Sequence, residues 1–179
     1  MNNKEKLLKM ILSALFLALA YVLPFFTGQI PEIGARLCPM HIPVLLCGFI
    51  SGPLWGGAVG AVAPIFRSLT LGMPPLFPTA FCMAFELMAY GTVAGLMHKI
   101  LPRKKPFVYC SLLISMIVGR LIWGAVMFIS VGVSGGSFTF STFLAGAIIN
   151  AVPGIIVQIV LVPILVIILE DRKVFRLKE

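Results

Sequence analysis

The sequence predicts an all-α membrane protein with six transmembrane helices in a compact bundle and both termini in the cytoplasm. Three observations predict this fold class. Of 179 residues, 60% are hydrophobic and only 11% are charged, long apolar segments recur along the chain, and basic residues cluster between them. Such a composition lies outside the range of soluble globular domains. The length allows about six spans of roughly 20 residues each.

Proline, glycine and charge clusters divide the chain into six apolar segments. The segments are 7–26, 40–52, 54–71, 79–98, 107–131 and 142–169. The second is short for a span, so we expect it to be tilted or to break at Gly52-Pro53. Together the segments predict a single transmembrane domain over residues 1–179.

The first segment resembles a secretory signal peptide, because three lysines precede an apolar stretch that contains a cleavage-like Ala18-Leu19-Ala20. The apolar run continues through Phe26, however, and its removal would leave an odd number of spans. We therefore expect a retained first helix.

Basic residues are distributed unevenly between the two sides of this topology. With a cytoplasmic N-terminus, the inside regions contain Lys4, Lys6, Lys9, Lys99, Arg103, Lys104, Lys105, Arg172, Lys173, Arg176 and Lys178, and the outside loops contain Arg36. This bias follows the positive-inside rule and predicts a multi-pass protein of the cell membrane. It also explains the net charge of +8 without a nucleic-acid partner.

Four polar residues fall inside predicted spans, at Arg67, Glu86, Arg120 and Asn150. A charge in lipid costs about 2.5 to 3.5 kcal/mol on insertion scales, so such residues usually face a protein interior or a wet cavity. Counted from the outer ends of their helices, all four lie roughly 6 to 15 Å deep. They predict a substrate pocket that opens outward. The alternative is an Arg-Glu pair that only ties helices together, with the other arginine reaching an interface or a backbone carbonyl group.

Two arginines against one carboxylate would leave such a pocket with a local charge of about +1, which favours an anionic small molecule. The connection 71–78 is rich in proline and apolar residues, and it places Met73 and Phe77 where they could cap a ligand. A loop that dips into the lipid headgroups would have the same composition.

His41 follows Cys38-Pro39-Met40, so soft and imidazole donors stand close together. A metal site needs several converging ligands, and the second histidine, His98, is predicted at the opposite membrane face. We therefore expect His41 to be a polar residue at the pocket rim, and we expect no metal or cofactor. The four cysteines form no C-x-x-C pair and are expected to be small buried hydrophobic residues.

Helix one carries Ala14 and Ala18 on one face, a spacing that lets another helix approach closely. Two further stretches are distinctive, MHIPVLLCGFISGPLWGGAVGAVAP and the GMPPLFP loop before MAFELMAYGTVAGL. With six short spans, these features make the chain similar to the substrate-specific components, or S-components, of energy-coupling factor (ECF) vitamin transporters.

The resemblance implies a six-helix subunit that binds its vitamin at the outer face, beneath the loops that join helices one and two and helices three and four. It also implies that Ala14 and Ala18 dock against a membrane coupling protein, which two cytoplasmic ATPases drive. Consistent with this expectation, the chain has no Walker A pattern of its own. Cobalt and nickel members of related systems have a similar Met-His-Ile-Pro motif at their N-terminus. Here that motif is internal and begins at Met40.

Pantothenate suits a pocket with two arginines, and pyridoxine-type compounds, riboflavin, folate and cobalamin remain open. Other classes of function are less well supported by the residues. A membrane hydrolase would need a nucleophile, base or metal set, and Glu86 is the one carboxylate within the predicted spans. A scaffold protein of the cell envelope would not need an outward polar cluster, and a stand-alone porter would need polar groups in the inner half as well.

Overall fold

A computed structural model describes residues 3–26, 37–102, 104–133, 135–136 and 139–171, without the side chains of residues 148 and 171. Within these residues all regular secondary structure is helical. The α-helices are α1 (Asn3–Phe26), α2 (His41–Ser51), α3 (Pro53–Leu71), α4 (Phe81–Ile100), α5 (Lys105–Val133), α6 (Phe140–Leu144) and α7 (Val152–Asp171). Short π-helical turns, Leu76–Ala80 and Ala145–Ile149, precede α4 and α7.

Five helices of the described chain are long and apolar enough to cross a membrane. They contain α1, α3, α4, α5 and α7, and their outward faces carry large apolar side chains such as Ile117, Leu121, Phe128, Ile156 and Val160. These side chains suit contact with lipid. The all-helical membrane fold is thereby confirmed, whereas the count of six spans and the orientation of the termini stay predictions.

The second predicted span differs from the others because α2 has only 11 residues. At 1.5 Å per residue it measures about 16 Å, roughly half the hydrocarbon thickness. It ends at Ser51 because Gly52 takes a φ of 96°, and α3 begins at once with Pro53. Proline suits the first position of a helix, since that N–H has no intrahelical partner. The chain therefore breaks where the sequence suggested.

Helix α2 forms the centre of the bundle. It packs against α1, α3, α4 and α7, and of its 11 residues all except Ile50 are buried. A helix that is apolar on every face is stable only when other elements surround it. Its short length means that its first residue, His41, lies within the bundle and is itself buried.

Glycines bring α2, α3 and α4 into backbone contact. A Cβ on Gly56 would lie 2.6 Å from the Cα of Gly48 and 2.7 Å from the carbonyl oxygen of Gly91. A Cβ on Gly91 would in turn collide with the backbone of Gly56, and one on Gly60 would collide with the carbonyl group of Leu87. Small residues of this kind let membrane helices approach closely. The seam fixes the relative positions of the three helices.

The prediction of a single span over residues 142–169 was wrong, because the structure interrupts this segment. In the structure it comprises the end of α6, the π-helical turn, a break at Asn150 and Ala151, and then α7. Pro153 is the second residue of α7. Proline has no N–H and its ring crowds the carbonyl group four residues before it, so Pro153 favours an interruption here. Proline alone does not decide it, because α3 and α7 continue through Pro64 and Pro163.

The bundle has one strongly basic end, here called the basic end. Helices α1 and α5 begin there, and α4 and α7 finish there. Its described basic residues are Lys4, Lys6, Lys9, Lys99, Lys104 and Lys105. The remaining residues of the predicted charge bias, Arg36, Arg103, Arg172, Lys173, Arg176 and Lys178, lie outside the described residues.

Candidate functional site

A buried cluster of an ion pair and a histidine joins three helices. Arg120 Nη1 on α5 lies 2.9 Å from Glu86 Oε1 on α4, and His41 Nε2 on α2 lies 3.5 Å from the same oxygen. The side chains of His41 and Glu86 are each 2% exposed, and that of Arg120 is 14% exposed. These three residues are called the polar layer below.

The short length of α2 creates the polar layer. Because the helix starts inside the bundle, His41 reaches Glu86, the sixth of the 20 residues of α4. Before this helix, Cys38 adopts a φ of 48°, a backbone conformation that residues other than glycine rarely adopt. The carbonyl oxygen of Cys38 accepts a hydrogen bond of 3.1 Å from the His41 N–H. Arg120 Nη2 donates to Cys38 Sγ at 3.9 Å.

Tyr90 lies one turn from Glu86 on α4 and is fully buried. Its ring packs edge to face against the His41 imidazole, with centroids 5.2 Å apart. Gly119 on α5 makes room for that ring, because a Cβ there would lie 2.8 Å from it. The spacing of Glu86 and Tyr90, four residues apart on one helical face, is a signal in the sequence that links Tyr90 to the layer.

The polar layer combines one ion pair with a histidine and has unused hydrogen-bonding capacity. One arginine balances one carboxylate, and removing either from a buried pair leaves an uncompensated charge. Among the described residues, His41 Nδ1, Arg120 Nε and the Tyr90 hydroxyl have no hydrogen-bond partner. Buried polar groups normally are hydrogen-bonded. The arrangement can therefore accept polar groups of a small molecule, through donors and acceptors from three helices.

Arg67 does not join this layer. It is buried on α3, and its Nη1 donates a 2.7 Å hydrogen bond to the backbone carbonyl oxygen of Tyr21 on α1. Its guanidinium carbon lies 5.0 Å from the ring centroid of Phe25 and 5.9 Å from that of Tyr21. Such distances allow cation–π attraction. Arg67 thus ties α3 to α1 through a backbone carbonyl group, as the alternative interpretation of the sequence expected for one of the two arginines.

Three other residues predicted at the site are exposed. Asn150 lies in the break before α7, so it is not the buried span residue that the sequence suggested. Met73 and Phe77 are 49% and 52% exposed in the connection between α3 and α4, and the Phe77 ring lies 6.2 Å from that of Phe81. The other predicted covering loop joins the first two helices, and most of it, residues 27–36, falls outside the described residues.

The two alanines of the predicted docking face are both exposed. The opposite face of α1 is buried and includes Leu12, Phe16 and Ala20. On that side, Cys47 Sγ of α2 contacts Ser13 Oγ at 3.6 Å. Helix α1 therefore presents Ala14 and Ala18 away from its own bundle.

One buried polar residue was missed by sequence reasoning. Gln158 on α7 is fully buried, and neither polar atom of its amide has a hydrogen-bond partner among the described residues. A signal for it exists, since Gln158 shares a helical face with the apolar Val162 and Val166. Of the other cysteines, Cys47 and Cys82 are buried and Cys110 is exposed. Within the described chain, no group of three potential metal ligands occurs.

Comparison with known proteins places the chain in a family. A family model described as ECF transporter, substrate-specific component, matches residues 8–166. No curated protein and no solved structure matched the chain. The match covers every long helix of the bundle, and it agrees with the multiple apolar helices of a multi-pass protein of the cell membrane. The chain belongs to the substrate-specific components of ECF transporters, which are binding subunits of transporters and not enzymes.

Proposed function

We propose that this S-component captures a small water-soluble vitamin at the end of the bundle opposite the basic end, and that His41, Glu86 and Arg120 hold its polar groups. One observation carries the proposal: a charged pair and a histidine from three helices meet in a buried layer at the start of a helix too short to span the membrane. Such residues within a membrane bundle usually mark a substrate path.

The direction of capture follows from the distribution of charge. With the basic end in the cytoplasm, as the positive-inside rule favours, α2 begins in the outer half of the bundle and finishes near the inner face. The polar layer is then reached from outside. The connection that contains Met73 and Phe77 lies at the same outer end, where these exposed side chains could close over a ligand.

The charge of the ligand is the least constrained feature. The expectation of an anion depended on two arginines facing one carboxylate, and Arg67 is bonded to α1 instead. Glu86 and Arg120 balance each other, so a ligand carboxylate would compete with Glu86 for one guanidinium group. Pantothenate stays a candidate through its amide and hydroxyl groups as much as through its carboxylate. We propose that hydrogen bonding contributes more to selectivity than negative charge does.

A binding titration tests this proposal. The purified chain is titrated by calorimetry with pantothenate, its neutral alcohol analogue pantothenol, riboflavin, folate, cobalamin and pyridoxine. We expect one vitamin to bind tightly. Glu86→Gln should weaken its binding by at least about tenfold, because the variant lacks the carboxylate that orients Arg120 and His41. A loss of affinity of comparable size for pantothenol relative to pantothenate would instead support an anion site. Full affinity in Glu86→Gln would place the ligand elsewhere.

Family membership implies association with an ECF energising module. We propose that Ala14 and Ala18 are the docking face for its membrane coupling protein, and that two cytoplasmic ATPases of the module supply the energy. Both alanines are exposed on one side of α1, so a partner helix could approach there without displacing any part of the bundle.

Bulky substitutions separate docking from binding. In Ala14→Leu/Ala18→Leu we expect vitamin binding by the isolated subunit to stay intact, whereas uptake by cells that contain the whole transporter is lost. Ala125→Leu, at an exposed alanine of α5, is the matched control and should transport normally. Normal uptake by the double variant would refute the docking face. Loss of uptake in the control as well would show only a general sensitivity to bulk.

A further inference from the structure

Gln158 is a buried amide in an otherwise apolar helix face. Its side chain is 0% exposed, and neither Oε1 nor Nε2 has a hydrogen-bond partner among the described residues. On the same face of α7, Val162 and Val166 are also buried. An unpaired amide in such surroundings is unfavourable, because it has lost its hydrogen bonds to water and gained none. The packing of α7 alone gives no reason for a glutamine here.

The depth of Gln158 in the bundle matches that of Glu86. Near the basic end, His98 Nε2 on α4 lies 2.8 Å from Glu170 Oε1 on α7, so the two helices are in register at that level. Both helices run in the same direction, from the opposite end toward the basic end. Glu86 precedes His98 by twelve residues, and Gln158 precedes Glu170 by twelve residues. At about 1.5 Å per residue, both lie about 18 Å above the His98–Glu170 contact.

Helix α7 also packs against helices that carry residues of the polar layer. Helix α7 packs against α2, which carries His41, and against α5, which carries Arg120. A fourth helix therefore adds a polar group at the depth of the polar layer. His41 Nδ1 and Arg120 Nε are unpartnered within the described chain, as Gln158 is. These groups of α2, α5 and α7 lie near one level of the bundle, whereas Ser51 Oγ, also unpartnered among the described residues, lies at the other end of α2.

We propose that Gln158 is a ligand-binding residue that selects for an amide, lactam or ureide edge. The inference rests on the proposed function, since it assigns a further contact within the same site. A carboxamide presents one acceptor and two donors in a single plane. Its natural complement is a ligand edge with an adjacent N–H and C=O. Riboflavin, folate and cobalamin offer such an edge. Pantothenate offers one trans amide, whose N–H and C=O point in opposite directions, and pyridoxine offers no amide.

A near-isosteric variant and a control on the same helical face test the assignment. Gln158→Met removes the amide and keeps the length of the side chain, and Val162→Met alters the same buried face one turn away. Both are purified full-length and titrated with riboflavin, folate, cobalamin, pantothenate and pyridoxine. For the vitamin that binds the natural chain, Gln158→Met should lose affinity by about 10- to 100-fold, because two ligand groups lose their partners. Val162→Met should stay within about threefold.

Thermal unfolding of the ligand-free chain separates this role from a structural one. Because Met removes an unpaired buried amide, Gln158→Met should unfold at the same temperature as the natural chain or at a higher one. A lower unfolding temperature would mean that the amide has a structural partner, and it would overturn the inference. So would unchanged affinity in Gln158→Met, or binding of pyridoxine alone, while the proposed function would stand. If no vitamin bound the natural chain, the proposed function itself would fail.

Discussion

Arg67 and Arg120 are both buried within helices of a membrane bundle, but their surroundings differ. Arg67 donates to a backbone carbonyl oxygen and lies over two aromatic rings. Arg120 is paired with Glu86, which also contacts His41. The first arrangement joins α3 to α1 near a helix end. The second concentrates charge and unpaired donors at one depth. Of the two arginines, only Arg120 lies beside side chains with unused hydrogen-bonding capacity, and for this reason we propose it as the ligand contact.

The largest effect is expected from breaking the charged pair. Arg120→Ala leaves the Glu86 carboxylate buried without compensation, which typically costs about 3 to 5 kcal/mol in the free energy of unfolding. Thermal and denaturant unfolding of the purified protein in detergent measure this loss. The double variant Arg120→Ala/Glu86→Gln should recover much of it, because no uncompensated charge remains. If the single variant were as stable as the natural chain, the pair would not be a buried ion pair.

Arg67→Ala should have a smaller effect on stability and almost none on binding. It removes a charged hydrogen bond worth about 1.5 to 3 kcal/mol in the free energy of unfolding, together with the contacts to Tyr21 and Phe25. Vitamin affinity should stay within about threefold, because the side chain lies outside the polar layer. Calorimetric titration of the folded variant measures this. A large loss of affinity would return Arg67 to the site that the sequence suggested.

The smallest of the three effects is expected from Gly119→Ala, which adds one methyl group beside the polar layer. The added methyl group would lie 2.8 Å from the Tyr90 ring, which in turn packs on His41. Such overpacking typically costs about 1 to 3 kcal/mol, and the displaced ring should weaken vitamin binding through His41.

Gly132→Ala is the matched control on the same helix, because a Cβ there meets nothing within 4 Å. Since alanine has the higher helix propensity, this control should leave the unfolding temperature unchanged or raise it slightly. Equal behaviour of the two variants would mean that Tyr90 does not support the layer.

Much of the architecture could be predicted from the sequence. The apolar segments, the break at Gly52-Pro53 and the uneven distribution of basic residues are local properties of composition. The shared depth of Glu86 and Arg120 also followed from counting residues along their helices. These inferences succeeded because membrane helices have a known rise and because charge in lipid must find a partner.

The partners themselves could not be predicted. Arg67 bonds to a backbone carbonyl group, and every residue offers one, so no residue type in the sequence marks that choice. The interruption before α7 depends on Pro153 near the middle of an apolar run, where the same residue can also kink a continuous helix. Gln158 was overlooked because a single glutamine on an apolar face gains meaning only from the depth of residues on other helices.

The central claim is that a small vitamin is held at the polar layer, and extraction of bound ligand tests it most directly. The natural chain and Glu86→Gln are purified from cells grown with the vitamin panel, and the small molecules released on denaturation are identified and quantified by mass spectrometry. We predict one vitamin in near-stoichiometric amount with the natural chain and much less with a folded Glu86→Gln. Equal amounts from both proteins would place the site elsewhere, and no vitamin from either would contradict the proposed function.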